Sequence, residues 1–251
     1  MSSDIILQAE KLSIQFKGFW AVKDVDLNIR RGTIHALIGP NGAGKTTCFN
    51  LLTKFLIPTS GKIHFDGQDI TRKGPAEIAQ LGMVRSFQIS AVFPSLSVLE
   101  NVTIALQRNR GNSFDFWKRD TSLRALNPRA EELLEEVGLT SYRNHLANEL
   151  SYGRKRALEI ATTLALEPKM MLLDEPMAGM AVEDIDRITE LIRRVSKGRT
   201  ILMVEHNLSV VATLSDQITV LARGQVLAEG DYATVSANPQ VLEAYMGTAH
   251  A

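Results

Sequence analysis

Short apolar runs alternate with amphipathic stretches along most of the chain. Mostly apolar runs at residues 33–38, 170–173 and 200–204 predict buried strands. Apolar residues spaced three and four apart at 157–165 and 185–195 predict helices with one face toward a core. Alternating buried strands and helices are typical of a parallel sheet covered by helices. The pattern therefore predicts an α/β core.

Strand patterns also occur near both ends of the chain. They are short, and several are bounded by turn residues such as the Asp-Gly pair at 66–67 and the Arg-Gly pair at 223–224. The predicted strands lie at 5–7, 12–14, 25–29, 62–65, 218–221 and 225–227, and further helices are predicted at 48–55 and 76–81.

Residues 89–155 have a different character, because helical patterns and breakers replace strands. An apolar stripe within this stretch ends at Gly138, which is typical of a helix terminus. We therefore expect a single domain in which a helical subdomain, residues 89–155, is inserted into a catalytic core formed by residues 1–88 and 156–251.

Residues 108–128 mix basic and aromatic side chains. Such a segment is compatible with a patch that faces a membrane surface or a partner, but short patches of this kind are weak signals and favour a loop whose aromatic rings pack locally. The side chains concerned are Arg108, Arg110, Lys118, Arg119, Arg124, Phe114, Phe116 and Trp117.

Residues 39–47, GPNGAGKTT, match the phosphate-binding pattern G-x-x-x-x-G-K-[ST]. The glycines allow successive backbone N–H groups to point at phosphate oxygens, and Lys45 can reach the terminal phosphates. A chance glycine-rich turn is the alternative. However, a predicted buried strand precedes the loop and a predicted helix follows it, which is the order that nucleotide binding requires. The predicted nucleotide contacts are Asn41, Gly42, Gly44, Lys45, Thr46 and Thr47.

Composition limits which classes of partner and which cellular compartment we expect for the chain. Lys plus Arg equals Asp plus Glu at 28 each, so no global basic field favours nucleic acid. The single cysteine, Cys48, cannot form an internal disulfide, which favours a reducing cytosol and a buried packing role. The first residues lack a signal-peptide pattern, and no run approaches the roughly 18–20 apolar residues that span a bilayer. We therefore expect any membrane association to go through a partner.

Polar side chains follow three of the apolar strands. Ligands of α/β sheets bind at the carboxyl ends of parallel strands, so these side chains should meet around the nucleotide. Asp174 can hold the hydration shell of Mg²⁺, Glu175 can act as a general base on water, and His206 can contact the γ-phosphate. Taken alone, Asp174 and Glu175 could equally be helix-start carboxylates, and an ordinary packed or solvated residue is the better interpretation of His206. The three pairs are Lys45 with Thr46, Asp174 with Glu175, and Glu205 with His206.

Over nearly its full length the chain resembles the ATPase subunits of ABC transporters. Residues 150–153, LSYG, look like the start of the signature that separates this family from other phosphate-loop proteins. Gln88 matches the glutamine of the Q-loop, residues 170–176 match the Walker B strand and its extension, and His206 matches the switch histidine. The resemblance implies a RecA-like phosphate-loop core with an antiparallel β subdomain and an inserted α-helical subdomain.

The resemblance also implies ATP and Mg²⁺ as cofactors and assigns roles to residues. The implied catalytic residues are Glu175, His206 and Gln88, and the implied metal ligands are Thr46, Gln88 and Asp174. Adenine would stack on Phe16, for which core packing is the alternative, and Phe19 and Trp20 are competitors for that role.

Two such subunits would sandwich two ATP molecules, and Ser151 and the Gly153 backbone of one would bind the γ-phosphate held by the other. Gln88, Phe93 and Leu96 would form a groove that receives a helix of a membrane subunit. The implied partners are an identical or homologous ATPase subunit, two integral-membrane permease subunits and, indirectly, a periplasmic solute-binding protein. The implied location is the cytoplasmic face of the inner membrane, as a peripheral subunit.

The sequence departs from the family pattern at two positions. Arg154 replaces the usual glutamine of the signature, and Ala181 replaces an aspartate that makes a hydrogen bond across the dimer. Either one site is less active, or Glu183 or Asp184 compensates. Because Glu175 is present, we still expect hydrolysis.

Within the family, residues 83–88, 98–102 and 238–247 look like the ATPases of branched-chain amino-acid (Liv-type) and urea or amide importers. An ATPase of a lipid or lipopolysaccharide exporter is the nearest alternative, since it shares the catalytic motifs. A soluble ABC protein of DNA repair or translation would normally carry a coiled-coil or zinc insertion or two fused halves. A phosphate-loop kinase would not need the signature.

Overall fold

The computed structural model describes residues 4–86, 92–108 and 125–246. Most of the predicted strands and helices are present, and their bounds are as follows. The strands are β1 (Ile5–Phe16), β2 (Phe19–Arg30), β3 (Ile34–Ile38), β4 (Ser60–Phe65), β5 (Gln68–Asp69), β6 (Met83–Ser86), β7 (Met170–Asp174), β8 (Thr200–Val204), β9 (Gln217–Ala222) and β10 (Gln225–Gly230). The helices are α1 (Lys45–Leu52), α2 (Pro75–Gln80), α3 (Val98–Gln107), α4 (Asn127–Glu136), α5 (Tyr152–Leu164), α6 (Val182–Val195), α7 (Leu208–Leu214), α8 (Tyr232–Ser236) and α9 (Pro239–Met246).

A six-stranded sheet carries the predicted α/β core, in the order β10-β9-β3-β8-β7-β6. The pairs from β9 to β6 are parallel, and β10 joins β9 as an antiparallel edge strand. Every residue of β3, β7 and β8 is buried, because helices or other strands cover both faces of the sheet. This arrangement explains why the three central strands read as continuous apolar runs.

The prediction of three short strands within residues 5–30 was wrong. Two strands of 12 residues, β1 and β2, form an antiparallel hairpin in a separate sheet of order β2-β1-β4-β5. The register of the pair shifts between Ala9 and Leu12, and Lys11 has a φ of 48°. This irregularity breaks the alternation of apolar and polar residues, so one strand reads as two.

Two other boundaries differ from the prediction. The helix expected at 48–55 begins at Lys45 and ends at Leu52, because it starts directly at the phosphate-loop sequence. The sequence pattern predicted no strand at 83–86, whereas β6 occupies those residues at the edge of the large sheet. A charged Arg85 within β6 obscured its apolar pattern.

Helices α3 and α4 lie in the stretch predicted to be helical, and α5, which begins near its end, packs with them. The apolar stripe of α4 is buried, and the chain leaves it at Gly138, which has a φ of 74°. One continuous apolar core joins these helices to the large sheet. The predicted boundary between residues 155 and 156 falls inside α5, so a single helix crosses it; the division into subdomains stays a prediction.

Residues 108–128 lie mainly outside the described part of the chain, so the two interpretations of this segment stay open. Cys48 is fully buried, as predicted. Among residues 4–86, 92–108 and 125–246, no helix has the length and apolar character needed to cross a membrane.

Candidate functional site

The ends of three neighbouring strands meet at one edge of the large sheet. Leu37 of β3 pairs with Val204 of β8, and Val204 pairs with Asp174 of β7. The residues that follow these three paired positions therefore leave the sheet next to one another. They belong to the phosphate-loop sequence, to the Asp174–Glu175 pair and to the Glu205–His206 pair, so the expected convergence follows from the register.

Glycine is required in the phosphate-loop sequence by close backbone neighbours. A Cβ on Gly39 would lie 2.1 Å from the carbonyl oxygen of Leu221, and a Cβ on Gly44 would lie 2.5 Å from that of Ala21. Both glycines have positive φ, 151° and 96°. Gly42 also has positive φ, 74°, but it is exposed, and a Cβ on it would meet no atom within 4 Å. The loop is thus packed at Gly39 and Gly44 and has an open face at Gly42.

Lys45 turns back onto its own loop. Its Nζ donates to the carbonyl oxygens of Gly39 at 2.6 Å and Pro40 at 3.0 Å. Burial lowers the pKa of Lys45, and the nearby negative charge of Glu175 acts in the opposite direction. Exposed Thr46 follows in the first turn of α1. A buried cationic side chain and an exposed hydroxyl are therefore adjacent at the start of α1.

The other predicted contacts of the loop differ in exposure. Asn41 is exposed, and Thr47 is half-buried in the first turn of α1. The first backbone N–H groups of α1 lie at its positive end, which favours an anion.

Asp174 is buried and paired with a residue that the sequence did not single out. Its Oδ2 accepts a hydrogen bond from Nη2 of Arg85 at 2.6 Å, and their side chains are 5% and 15% exposed. Nη1 of Arg85 donates to Oδ1 of Asn50 in α1 at 2.7 Å. The available signal was a lone arginine in an otherwise apolar stretch next to the Q-loop glutamine.

Glu175 has a left-handed backbone conformation directly after β7. Its φ of 44° lies in the left-handed region, which residues with a Cβ rarely adopt. Its N–H donates to the carbonyl of Val204 at 2.9 Å, and its own carbonyl accepts from Ala178 N at 3.0 Å. The backbone of Glu175 thus departs from the strand geometry of β7, and its side chain is half-buried.

The Glu205 carboxylate binds backbone N–H groups of two separate segments of the chain. Its side chain is fully buried, and Oε1 accepts from the backbone N–H of Met177 at 3.1 Å. Oε2 accepts from the N–H groups of His206 at 3.0 Å and Asn207 at 3.2 Å. One carboxylate therefore ties the segment after Glu175 to exposed His206. The sequence placed Glu205 at the sheet edge but did not show this role.

Ser151 is the N-cap residue of α5, and it is exposed. A Cβ on Gly153 would lie 2.6–2.9 Å from the carboxylate atoms of Asp184, so a larger residue there would have to displace that side chain. The hydroxyl of Tyr152 donates to the carbonyl of Ala178 at 2.9 Å. The signature corner therefore contacts the segment that follows β7.

The two departures from the family pattern have distinct surroundings. The guanidinium of Arg154 lies 4.3 Å from the ring centroid of Tyr142, so it stacks on a neighbouring aromatic. Ala181 is the exposed N-cap of α6, and the side chains of Glu183 and Asp184 follow in the first turn. Asp184 is the one that contacts the signature glycine.

The aromatic candidates for adenine lie on the β1–β2 hairpin. Phe16 is paired with Phe19 across the turn, and both rings are exposed, as is Trp20. The same hairpin contributes the Ala21 carbonyl that approaches Gly44. All three rings thus lie on an element that contacts the phosphate loop, and the choice of Phe16 stays a prediction.

Gln88 lies outside the described residues, so its predicted catalytic and metal-binding roles stay predictions. Of its predicted groove partners, Phe93 is exposed and Leu96 is half-buried. The side chain of buried Asn101 holds Phe93 in place by accepting from its N–H at 2.7 Å and donating to its carbonyl at 3.1 Å. A groove of about 540 Å³ runs beside Phe93 and Phe55, between the large sheet and the helical stretch.

Within the described ranges, no group of three or more His, Cys, Asp or Glu residues is arranged to hold a metal ion alone. The oxygen donors at the sheet edge are instead the Thr46 hydroxyl and the Asp174 carboxylate. Hydroxyl and carboxylate oxygens suit Mg²⁺, which usually also takes ligands from water and phosphate. The donor set therefore fits a magnesium ion that arrives with a nucleotide.

Comparison with known families gives two matches. The family described as "ABC transporter" matches residues 22–178. The family described as "Branched-chain amino acid ATP-binding cassette transporter" matches residues 225–251. The first match spans the phosphate loop, the signature and the β7 carboxylates.

Several curated proteins are similar over nearly the whole chain. One is the high-affinity branched-chain amino acid transport ATP-binding protein BraF of Pseudomonas aeruginosa, at 38% identity over 97% of this chain and 98% of that protein. Another is LivG of Escherichia coli, of the same description, at 37% identity over 98% of this chain and 100% of that protein. The similarity is therefore not confined to the nucleotide-binding motifs.

Solved structures agree with the fold. An ATP-binding cassette of an ABC transporter in its ADP conformation has a TM-score of 0.86 and 34% identity, and covers 97% of this chain and 99% of its own. A dimeric cassette bound to ADP and phosphate has a TM-score of 0.74 and 25% identity, covering 90% and 99%. The predicted α/β fold class, with its phosphate-loop core, antiparallel sheet and helical insertion, is confirmed.

Proposed function

The chain belongs to the ABC transporter family and is an ATP-binding cassette ATPase, and from this premise we propose that it energises the import of branched-chain amino acids or related small solutes such as urea or amides. The observation that carries the choice of solute is the match of residues 225–251 to the branched-chain amino acid cassette family. The names of the relatives support the same choice.

We propose that ATP binds with its phosphates on the open face of the loop at residues 39–47. Lys45, whose Nζ now donates to the carbonyl oxygens of Gly39 and Pro40, would donate to phosphate oxygens instead. Thr46 and Asp174 hold Mg²⁺, which neutralises charge on the β- and γ-phosphates when bound. Burial already lowers the pKa of Lys45, but the charge of a triphosphate favours its cationic form.

Glu175 is the proposed general base, and His206 the proposed contact to the γ-phosphate. Glu175 follows the β7 carboxylate in a turn that sets it apart from the strand, which suits a group that must orient water. Glu205 holds the backbone of His206. Gln88 completes the proposed set from outside the described residues.

The proposed partners are a second cassette, two permease subunits and, indirectly, a periplasmic solute-binding protein. The exposed N-cap Ser151 and the buried Gly153 begin a helix whose positive end suits the γ-phosphate held by the second cassette. The groove lined by Phe55 and Phe93 is apolar enough to receive a helix of a permease. The chain would then work as a peripheral subunit at the cytoplasmic face of the inner membrane.

The test is co-purification of the full chain from membranes, with its partners identified. ATPase activity of the complex is then measured with candidate amino acids, urea or amides and the matching binding protein. Stimulation by branched-chain amino acids, urea or amides supports the proposal. A complex that contains a lipid exporter's membrane subunits would contradict it.

A further inference from the structure

Arg85 connects the proposed magnesium carboxylate to the helix of the phosphate loop. Its Nη2 contacts Asp174 Oδ2 at 2.6 Å, and its Nη1 contacts Asn50 Oδ1 at 2.7 Å. Asp174 ends β7, whereas Asn50 lies in α1. The planar guanidinium therefore spans two elements that must keep a fixed distance if they are to hold one metal–nucleotide complex.

The same guanidinium lies against two aromatic rings. It is 4.9 Å from the ring centroid of Phe49 and 5.3 Å from that of Phe55. Phe49 is fully buried, but Phe55 is 49% exposed and lines the 540 Å³ groove. Arg85 itself also lines that groove. One side chain thus contacts both the groove and the buried carboxylate.

We infer that Arg85 is a positioning residue that fixes the Asp174 carboxylate for Mg²⁺ and makes its position sensitive to what fills the groove. The inference rests on the proposed function, because it needs Mg²⁺ at Asp174. A carboxylate as buried as Asp174 needs a hydrogen-bond donor to hold its orientation, and Arg85 supplies one. The hydrogen bonds to Asp174 and Asn50, together with the stacking on Phe55, fix the plane of the Arg85 guanidinium.

The test is the ratio of the ATP dissociation constant in EDTA to that in Mg²⁺, measured with a fluorescent ATP analogue on the full chain. This ratio reports the metal contribution to binding and does not depend on turnover. In Arg85→Met we expect it to fall about tenfold, the effect of one lost charge-assisted hydrogen bond. Arg85→Lys keeps the charge but lacks the fork, so its ratio should lie between those of Arg85→Met and the wild type.

Arg199→Met is the matched control. Arg199 is also a partly buried ion-pair residue, with Nη1 at 3.0 Å from Glu136 Oε1, but it precedes the opposite, amino end of β8. It should lose stability and keep the wild-type ratio. A wild-type ratio in both Arg85 variants would overturn the inference. A wild type that shows no gain from Mg²⁺ would overturn the proposed function instead.

The influence of the groove on Asp174 is tested by Phe55→Ala, with Ile57→Ala as its control. Phe55 touches Arg85, whereas Ile57 is two residues away and 79% exposed. Phe55→Ala should lower the ratio about threefold, since loss of one stacking partner weakens the fixed plane of the guanidinium. Ile57→Ala should leave it unchanged. If the two variants have equal ratios, the groove does not influence Asp174 and that part of the inference is wrong.

Discussion

Replacing Glu205 by Gln tests whether one buried carboxylate holds the two loops at the sheet edge. The substitution keeps shape and volume but turns one oxygen acceptor into an NH₂ donor. Glu205 Oε1 has one backbone N–H partner and Oε2 has two, so the best amide orientation keeps the two bonds of Oε2. The NH₂ group then faces the N–H of Met177 inside the protein.

The expected loss of unfolding free energy is about 2–4 kcal/mol. One hydrogen bond to a charged group contributes about 1.5–3 kcal/mol, and leaving a buried donor without an acceptor costs about 1–3 kcal/mol; the two terms overlap. No cavity forms, so packing adds no further loss. The Met177 segment should also lose its fixed position relative to His206, which lowers kcat more than it weakens ATP binding.

The assay is urea unfolding followed by circular dichroism, in which the midpoint should fall without a change in slope. Glu100→Gln is the matched control. Glu100 Oε2 also accepts a backbone N–H, from Ser97 at 2.7 Å, but it is solvent-exposed. That variant should lose less than about 1 kcal/mol. A Glu205→Gln protein as stable as the wild type would refute the reasoning.

Three further predictions concern buried or loop side chains. Burial lowers the pKa of His35 to about 4, and its Nε2 lies 2.8 Å from Thr219 Oγ1, so the native ring stays neutral while the unfolded one protonates near 6.5. The free energy of unfolding should therefore fall by about 3 kcal/mol as pH falls from 6.5 to 4. Urea titrations of His35→Val should show a flatter dependence of unfolding free energy on pH. An equal dependence in both proteins would contradict this prediction. Burial raises the pKa of the Cys48 thiol to about 12, so maleimide should label it only through unfolding, and ATP should slow labelling; rapid labelling of the native protein would count against this. Lys45→Ala should weaken ATP binding at least about tenfold in the same fluorescence assay, and unchanged affinity would remove the phosphate-loop assignment.

The strand ends that carry the site were predictable because their signal is local. Each consists of a continuous apolar run followed by polar residues, as at Asp174 and His206, and parallel sheets bring such ends to one edge. Sterically required glycines in the phosphate-loop sequence gave a second local signal. The similarity to known cassettes then confirmed the fold class inferred from these patterns.

The remaining features depend on contacts between distant residues. Arg85 and Asp174 are 89 positions apart, and their pairing follows from the register of β6 on β7, which no local pattern contains. Glu205 reaches Met177 across 28 positions in the same way. The length of β1 was missed for a different reason, since an irregularity at Lys11 interrupts its alternation. Side-chain partners thus required the structure, whereas strand ends did not.

The most direct test of the central claim is phosphate release by Glu175→Gln compared with the wild type, with ATP binding measured in the same complex purified from membranes. Our account predicts that the variant binds Mg²⁺-ATP as the wild type does, because Glu175 acts on water rather than on the phosphates. Its turnover should be lower by about 100-fold or more, the usual contribution of a general base. Turnover at the wild-type rate would contradict the account.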